Sequence, residues 1–378
     1  MNTIKLNYDI DTESFWEKDA ISHGNNCFTY KAEQVAFGLR MSPNCIFCEL
    51  NEEGTPWGNT DPERMWDLIR RYNDKAEIVV GKRILQETVP PPQDSKFPSI
   101  NSISEIFGGK HINKNGVSWL MSDMKSPRDL ELALDRIDSM NLREYIFPWN
   151  WEQEKRRIYE KYGLKPVGFF GIRGPVTLAM SLFGVENLIF LINDEPDLAA
   201  RFRDTIIKLI LFIWREMSRE AGYSPGEEPR KFSFYDDNCA MLTAEMYEFF
   251  GYPILKKVFD ICAPNDGDIR YQHSDSDMGH LLPVLSKLNF TGVNFGPNVL
   301  VQEIRKHMPK TRIDGQISPF TLMRNEEENL IKETKRDCEG AKNFGRGVNL
   351  TTAGGVNNGS LLTSMRAIMF AIQEFGQY

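Results

Sequence analysis

The sequence predicts an α/β protein, a single (β/α)8-barrel domain over residues 1–378. Two observations lead there. From about residue 165 onward, short runs rich in Val, Ile, Phe and Leu alternate with helical patterns, and each run ends in Gly, Asn, Asp or Pro, the pattern of βα units on a parallel sheet. No glycine-rich dinucleotide fingerprint follows any of these runs, which disfavours the competing doubly wound open sheet.

Taken in order, the expected strands are Pro166–Ile172, Lys231–Tyr235, Asp268–Gln272, Thr291–Asn294, Arg312–Asp314 and Gly347–Leu350. Between them lie expected helices at Pro196–Glu220, Thr243–Cys262, Gly279–Leu288, Val301–His307 and Asn325–Asn343. Two further strands, Lys75–Leu85 and Val117–Ser122, bring the barrel to eight, with helices at Pro62–Tyr72 and Pro127–Met140. Residues 1–75 read as a helical or irregular N-terminal extension, and Val89–Asp94, with three consecutive prolines, as a long loop.

Composition narrows the function classes. Lys and Arg total 45 against 53 Asp and Glu, a net charge of −8 spread along the chain, without the basic face of a nucleic-acid binder. The most apolar run, Ile206–Trp214, is bracketed by charges and too short to span a bilayer, so no membrane segment is expected. The N-terminus lacks a signal-peptide pattern, and six cysteines are too few for a disulfide scaffold; a cytoplasmic protein is expected. The lone Cys45-x-x-Cys48 has no second pair to complete a zinc site.

In a barrel, chemistry sits at the C-terminal ends of the strands. Those positions carry Arg173, then Asp236 and Asp237, then His273 and Asp275, then Asn294, then Gln316, and last Thr352. An imidazole beside carboxylates suits either a metal ion or proton transfer. Asp237, His273 and Arg173 are the candidate catalytic residues; Asn294, Gln316, Asp236 and Thr352 are the candidate substrate contacts. Of Asp236 and Asp237, one is expected to face the mouth while the other caps a helix or pairs with a base. Arg173 suits a bidentate grip on a carboxylate or phosphate, or equally a salt bridge within the barrel. His280, a few residues into the following helix, is read as a helix-face histidine that simply packs or is solvated.

These segments, in this order, resemble the uroporphyrinogen decarboxylase superfamily, which includes the corrinoid-linked methyltransferases. The matching pieces are Gly171–Gly184 with Asn193-Asp194-Glu195-Pro196, Tyr235-Asp236-Asp237 with Leu242–Pro253, and His273 with Gly279–Leu282. Asn294–Pro297, Asp314–Pro319 and Gly347–Gly355 complete the set, which covers roughly residues 120–378. The resemblance implies a TIM barrel, and the homodimer common in the family.

The chain departs from both main activities of that superfamily. The Arg-Gln-Ala-Gly-Arg motif that grips porphyrinogen carboxylates has no counterpart beyond Gly38-Leu39-Arg40, and the late histidine is missing from Thr351–Gly355. The methyltransferase branch holds zinc with His-x-Cys and a later Cys; here those positions read His273-Ser274-Asp275 and Thr351-Thr352-Ala353. Related demethylating methyltransferases hold zinc with carboxylates and histidine. The implied ligand set is therefore His273 and Asp275 with Asp237 or Glu245. On this resemblance the expected activity is zinc-dependent transfer of a methyl group from a methoxylated or methylated small molecule to a corrinoid (cobalamin) carried by a partner protein. The alternatives are a metal-free decarboxylase or lyase of a small carboxylated substrate, and a non-catalytic ligand-binding barrel.

Overall fold

Seven strands form one sheet in the computed structural model of the chain, which describes residues 6–54, 61–88, 91–114 and 117–378. They are β1 (Ala36–Phe37), β2 (Gly171–Arg173), β3 (Lys231–Tyr235), β4 (Ile269–Ser274), β5 (Gly292–Phe295), β6 (Arg312–Asp314) and β7 (Val348–Leu350). Their order is β1-β7-β6-β5-β4-β3-β2, so that β2 to β7 neighbour one another in chain order and the first strand lies beside the last. The pairs β2–β3, β5–β6, β6–β7 and β1–β7 are parallel, with Ala36 opposite Asn349 and Phe37 opposite Leu350. Every residue of β5 is buried, as parallel strands covered on both faces require.

The six strands expected after residue 165 are present, though the first is confined to Gly171–Arg173. The two expected from the N-terminal third are corrected. Lys75–Leu85 is not a strand: its first half completes the helix Pro62–Val80, whose buried Leu68, Tyr72, Ala76 and Val79 recur at helical spacing. Asp61 caps that helix by accepting from Arg64 N at 3.1 Å. Val117–Met121 is a strand, but it pairs antiparallel with Lys110–Lys114 in a separate two-stranded sheet. The strand that sequence reading missed is β1, which lies inside the stretch read as an extension. Of the loop expected at Val89–Asp94, Val89 and Pro90 lie outside the described residues.

By density of contacts the chain divides into two compact units, Met1–Pro90 with His273–Leu282 and Phe290–Tyr378, and Pro91–Gln272 with Pro283–Asn289. In the first unit the helices Glu327–Phe344 and Leu362–Phe375 pack together, and Pro62–Val80 packs on the latter. Arg366, buried in Leu362–Phe375, donates to Tyr8 O at 2.9 and 2.7 Å and to Val79 O at 2.6 Å, which fixes the N-terminal segment on that helix. Glu49 accepts from Leu362 N at 2.6 Å and pairs with Lys75 at 2.6 Å.

In the second unit the helix Pro196–Glu220 buries Phe202, Ile206, Leu209, Ile210 and Ile213 along one face. This face packs on Pro127–Asp138 and Gly251–Cys262, and it contains the apolar run read as a core helix. Among the described residues no single helix is long and apolar enough to cross a membrane. Phe202 is fully buried between Phe107 and Phe250, with ring centroids 5.3 and 5.8 Å away. Replacing it by alanine removes that transfer energy and leaves a cavity. Urea denaturation of Phe202→Ala is expected to show a loss of about 3–5 kcal/mol, while Phe190→Ala, 60% exposed, stays within about 0.5 kcal/mol of wild type.

Candidate active site at the strand ends

His273 is the penultimate residue of β4, and its side chain is 19% exposed. Its Nδ1 lies 2.7 Å from Asn294 Oδ1, on β5. The amide of Asn294 has no freedom to flip. Its Nδ2 donates to the carbonyls of Asp314 and Thr352, the latter at 3.1 Å, so Oδ1 is the acceptor facing the imidazole. The proton between them must then sit on His273 Nδ1, which leaves Nε2 to carry the lone pair of the neutral ring.

That nitrogen lies 2.8 Å from Asp275 Oδ1. A lone pair and a carboxylate cannot meet at this distance without a cation between them, either a proton on Nε2 or a metal ion. Asp275 follows β4 directly, and its side chain is 52% exposed. Glycines make its place. A Cβ at Gly354 (φ +120°) would stand 2.8 and 3.0 Å from the Asp275 carboxylate oxygens, and one at Gly296 would stand 2.5 Å from the Asp275 carbonyl. The sequence places both just beyond strand ends, in Asn294–Pro297 and Gly347–Gly355, but gives no sign of this role.

Two of the expected substrate contacts in this unit have structural partners. Thr352 is buried; its hydroxyl donates to Gly354 O at 2.7 Å and its carbonyl accepts from Asn294. Gln316 is buried, and its amide nitrogen donates to Phe295 O, Gly296 O and Val299 O at 3.1, 3.0 and 2.6 Å. Asn294 itself touches His273 and holds it. The structure thus brings His273, Asp275, Asn294 and Thr352 into one connected set.

In the second unit the two adjacent aspartates divide their roles. Asp236 is fully buried and accepts from Thr177 N and Thr177 Oγ1, both at 2.8 Å, at the start of the helix Pro175–Phe183. The helix it caps is the one after β2, not the one that follows it in the chain. Burial pushes its carboxyl up to about 6, against the lowering effect of the Thr177 hydrogen bonds. Asp237, half-buried, opens the turn Asp237–Met241. Arg173 is exposed at the end of β2. Glu245 is exposed in the first turn of Ala244–Phe249, where its own backbone N–H and the Thr243 hydroxyl hold its carboxyl below the usual range. His280 is exposed.

A model of the uroporphyrinogen decarboxylase (URO-D) family matches residues 156–375. The chain belongs to the URO-D family. The family's fold is the TIM barrel, in agreement with the strand order above. Among solved structures the chain is similar to a methyltransferase from Methanosarcina mazei, with 18% identity and a TM-score of 0.55 over 97% of this chain and 99% of that one. At that identity the likeness speaks for the fold. No curated protein sequence matches significantly.

The buried Asp236 makes stability depend on pH. Its raised value means that the folded chain holds the proton more tightly than the unfolded one, so its contribution is complete below about pH 4 and is lost as pH rises through about 6. Relative to Asp236→Asn, wild type is expected to lose roughly 3 kcal/mol between pH 4 and pH 7.5. Urea denaturation of both proteins at the two pH values measures this. An unchanged difference between them would refute it.

Proposed function

We propose that this URO-D family member is a zinc-dependent methyltransferase that moves a methyl group from a methoxylated or methylated small molecule to a corrinoid carried by a partner protein. The observation that carries the reading is His273 Nε2, turned into an acceptor by Asn294 and set 2.8 Å from Asp275 Oδ1. Two acceptors facing each other form the beginning of a cation site. His273 and Asp275 offer an imidazole nitrogen and a carboxylate oxygen, donors that zinc accepts.

The residues present fit that ion on chemical grounds. A metal-bound histidine ordinarily gives its other ring N–H to a carbonyl or carboxylate oxygen, and Asn294 Oδ1 fills that role here. Bound among oxygen donors, zinc supplies a harder Lewis acid than it does among thiolates, which suits an ether or hydroxyl oxygen as leaving group. Asn294 fixes the tilt and tautomer of His273. Arg173, exposed at the end of β2 in the second unit, has a guanidinium suited to gripping a carboxylate or phosphate. The missing Arg-Gln-Ala-Gly-Arg motif, with only Gly38-Leu39-Arg40 in its place, weighs against porphyrinogen decarboxylation.

Protein purified from zinc-supplied cells is expected to carry about one zinc per chain, and His273→Ala to carry little. Asn294→Ala is expected to bind zinc about 10–100-fold more weakly, because the imidazole loses the partner that orients it. Elemental analysis and competition with a chromogenic chelator measure both. If wild type carries no zinc and takes none up, the metal reading is wrong; the His273–Asp275 contact is then an imidazolium ion pair, and a metal-free lyase takes its place.

A further inference from the structure

Gln316 is held from both ends. Its backbone N–H donates to Asp337 Oδ2 at 3.4 Å, and its carbonyl accepts from Arg336 at 3.1 Å. The same guanidinium grips the buried Asp337 at 2.8 and 3.1 Å. At the other end the side-chain amide reaches the carbonyls of Phe295, Gly296 and Val299. Two N–H groups serve three acceptors, so one proton is shared. These carbonyls belong to the turn that leaves β5, which is closed by Val299 N donating to Gly296 O at 2.9 Å.

The turn abuts the loop that leaves β4. A Cβ at Gly296 would stand 2.5 Å from Asp275 O and 2.7 Å from Ser276 O, so the two backbones are in direct contact. Anything that moves the turn moves the peptide from which the Asp275 side chain projects. We infer that Gln316 is a positioning residue for Asp275: it fixes the turn after β5, and through Gly296 that turn sets the backbone that aims the Asp275 carboxylate at His273. Its functional meaning rests on the reading of His273 and Asp275 as metal ligands. A buried glutamine that only fills the core predicts lost stability and nothing more.

Cobalt(II) titration of the full chain, followed by visible absorbance, separates the two. Gln316→Met keeps the volume and removes the donors. It is expected to weaken cobalt binding about 10–100-fold. Gly296→Ala, which pushes the turn off Asp275, is expected to do the same. Thr334→Val, which removes a buried hydroxyl without a hydrogen-bond partner in the helix Glu327–Phe344 of the same unit, is expected to leave the affinity unchanged. Folded Gln316→Met with wild-type affinity overturns the inference; if that variant does not fold, Gly296→Ala with wild-type affinity does so. If wild type takes up neither cobalt nor zinc, the metal reading falls by itself. Crystal structures of wild type and Gln316→Met then decide: a displaced Asp275 backbone upholds the positioning role, and an unmoved one refutes it.

Discussion

Asn294 has one amide oxygen and two N–H groups, and the strand ends around it use all three. The N–H groups go to the Asp314 and Thr352 carbonyls, at the end of β6 and just beyond β7, and the oxygen goes to His273 at the end of β4. One buried side chain thus couples the backbones of two strand ends to the protonation geometry of a third. Each hydrogen bond contributes only about 0.5–1.5 kcal/mol net, but a carbonyl left without its donor in a buried place costs about 1–3 kcal/mol. The amide is therefore locked by its backbone partners, and the imidazole has to accept the tautomer this dictates.

Backbone contact does for Asp275 what hydrogen bonding does for His273. The aspartate is exposed and makes no demand for burial, yet it is flanked by two glycines that leave no space for a side chain, one against its carbonyl and one against its carboxylate. Behind Gly296 stands Gln316, and behind Gln316 the Arg336–Asp337 pair. The Gln316 amide nitrogen and the Arg336–Asp337 pair, hydrogen-bonded in a buried place, make a stiff support, since a shift costs them those bonds. The exposed carboxylate is thus held by groups that water does not reach.

The legible part of the fold was the part with regular βα spacing. From β2 onward the strands recur between helical patterns and end at turn formers, and that spacing announces itself. β1 did not, because two residues, Ala36 and Phe37, are too few to show a period. The apolar Ile78-Val79-Val80 was misread as strand because three β-branched or apolar residues in a row hide the helical spacing of Leu68, Tyr72 and Ala76 before them. At the site, His273 and Asp275 were legible as chemistry-bearing types at a strand end. The roles of Asp236 and Gln316 were not, because which partner a buried amide or carboxylate meets depends on contacts far apart in sequence. Asp236 meets Thr177 and Gln316 meets Phe295, and neither spacing has any local signature.

The departure from the His-x-Cys pattern has a steric counterpart in the structure. A carboxylate oxygen stands one bond farther from the backbone than a thiol sulfur does, so an aspartate in the place of a cysteine needs more room in front of its Cβ. Gly354 supplies that room. It takes a positive φ that most residues avoid, and it lies where any Cβ would press on the Asp275 oxygens. Its positive φ favours glycine whatever residue stands at 275, and a Cβ there would also crowd the Asp275 oxygens. The strand-end loops of β4 and β7 thus meet at the Asp275 carboxylate. The place of this carboxylate is accordingly set by the loop backbone as well as by its own side chain.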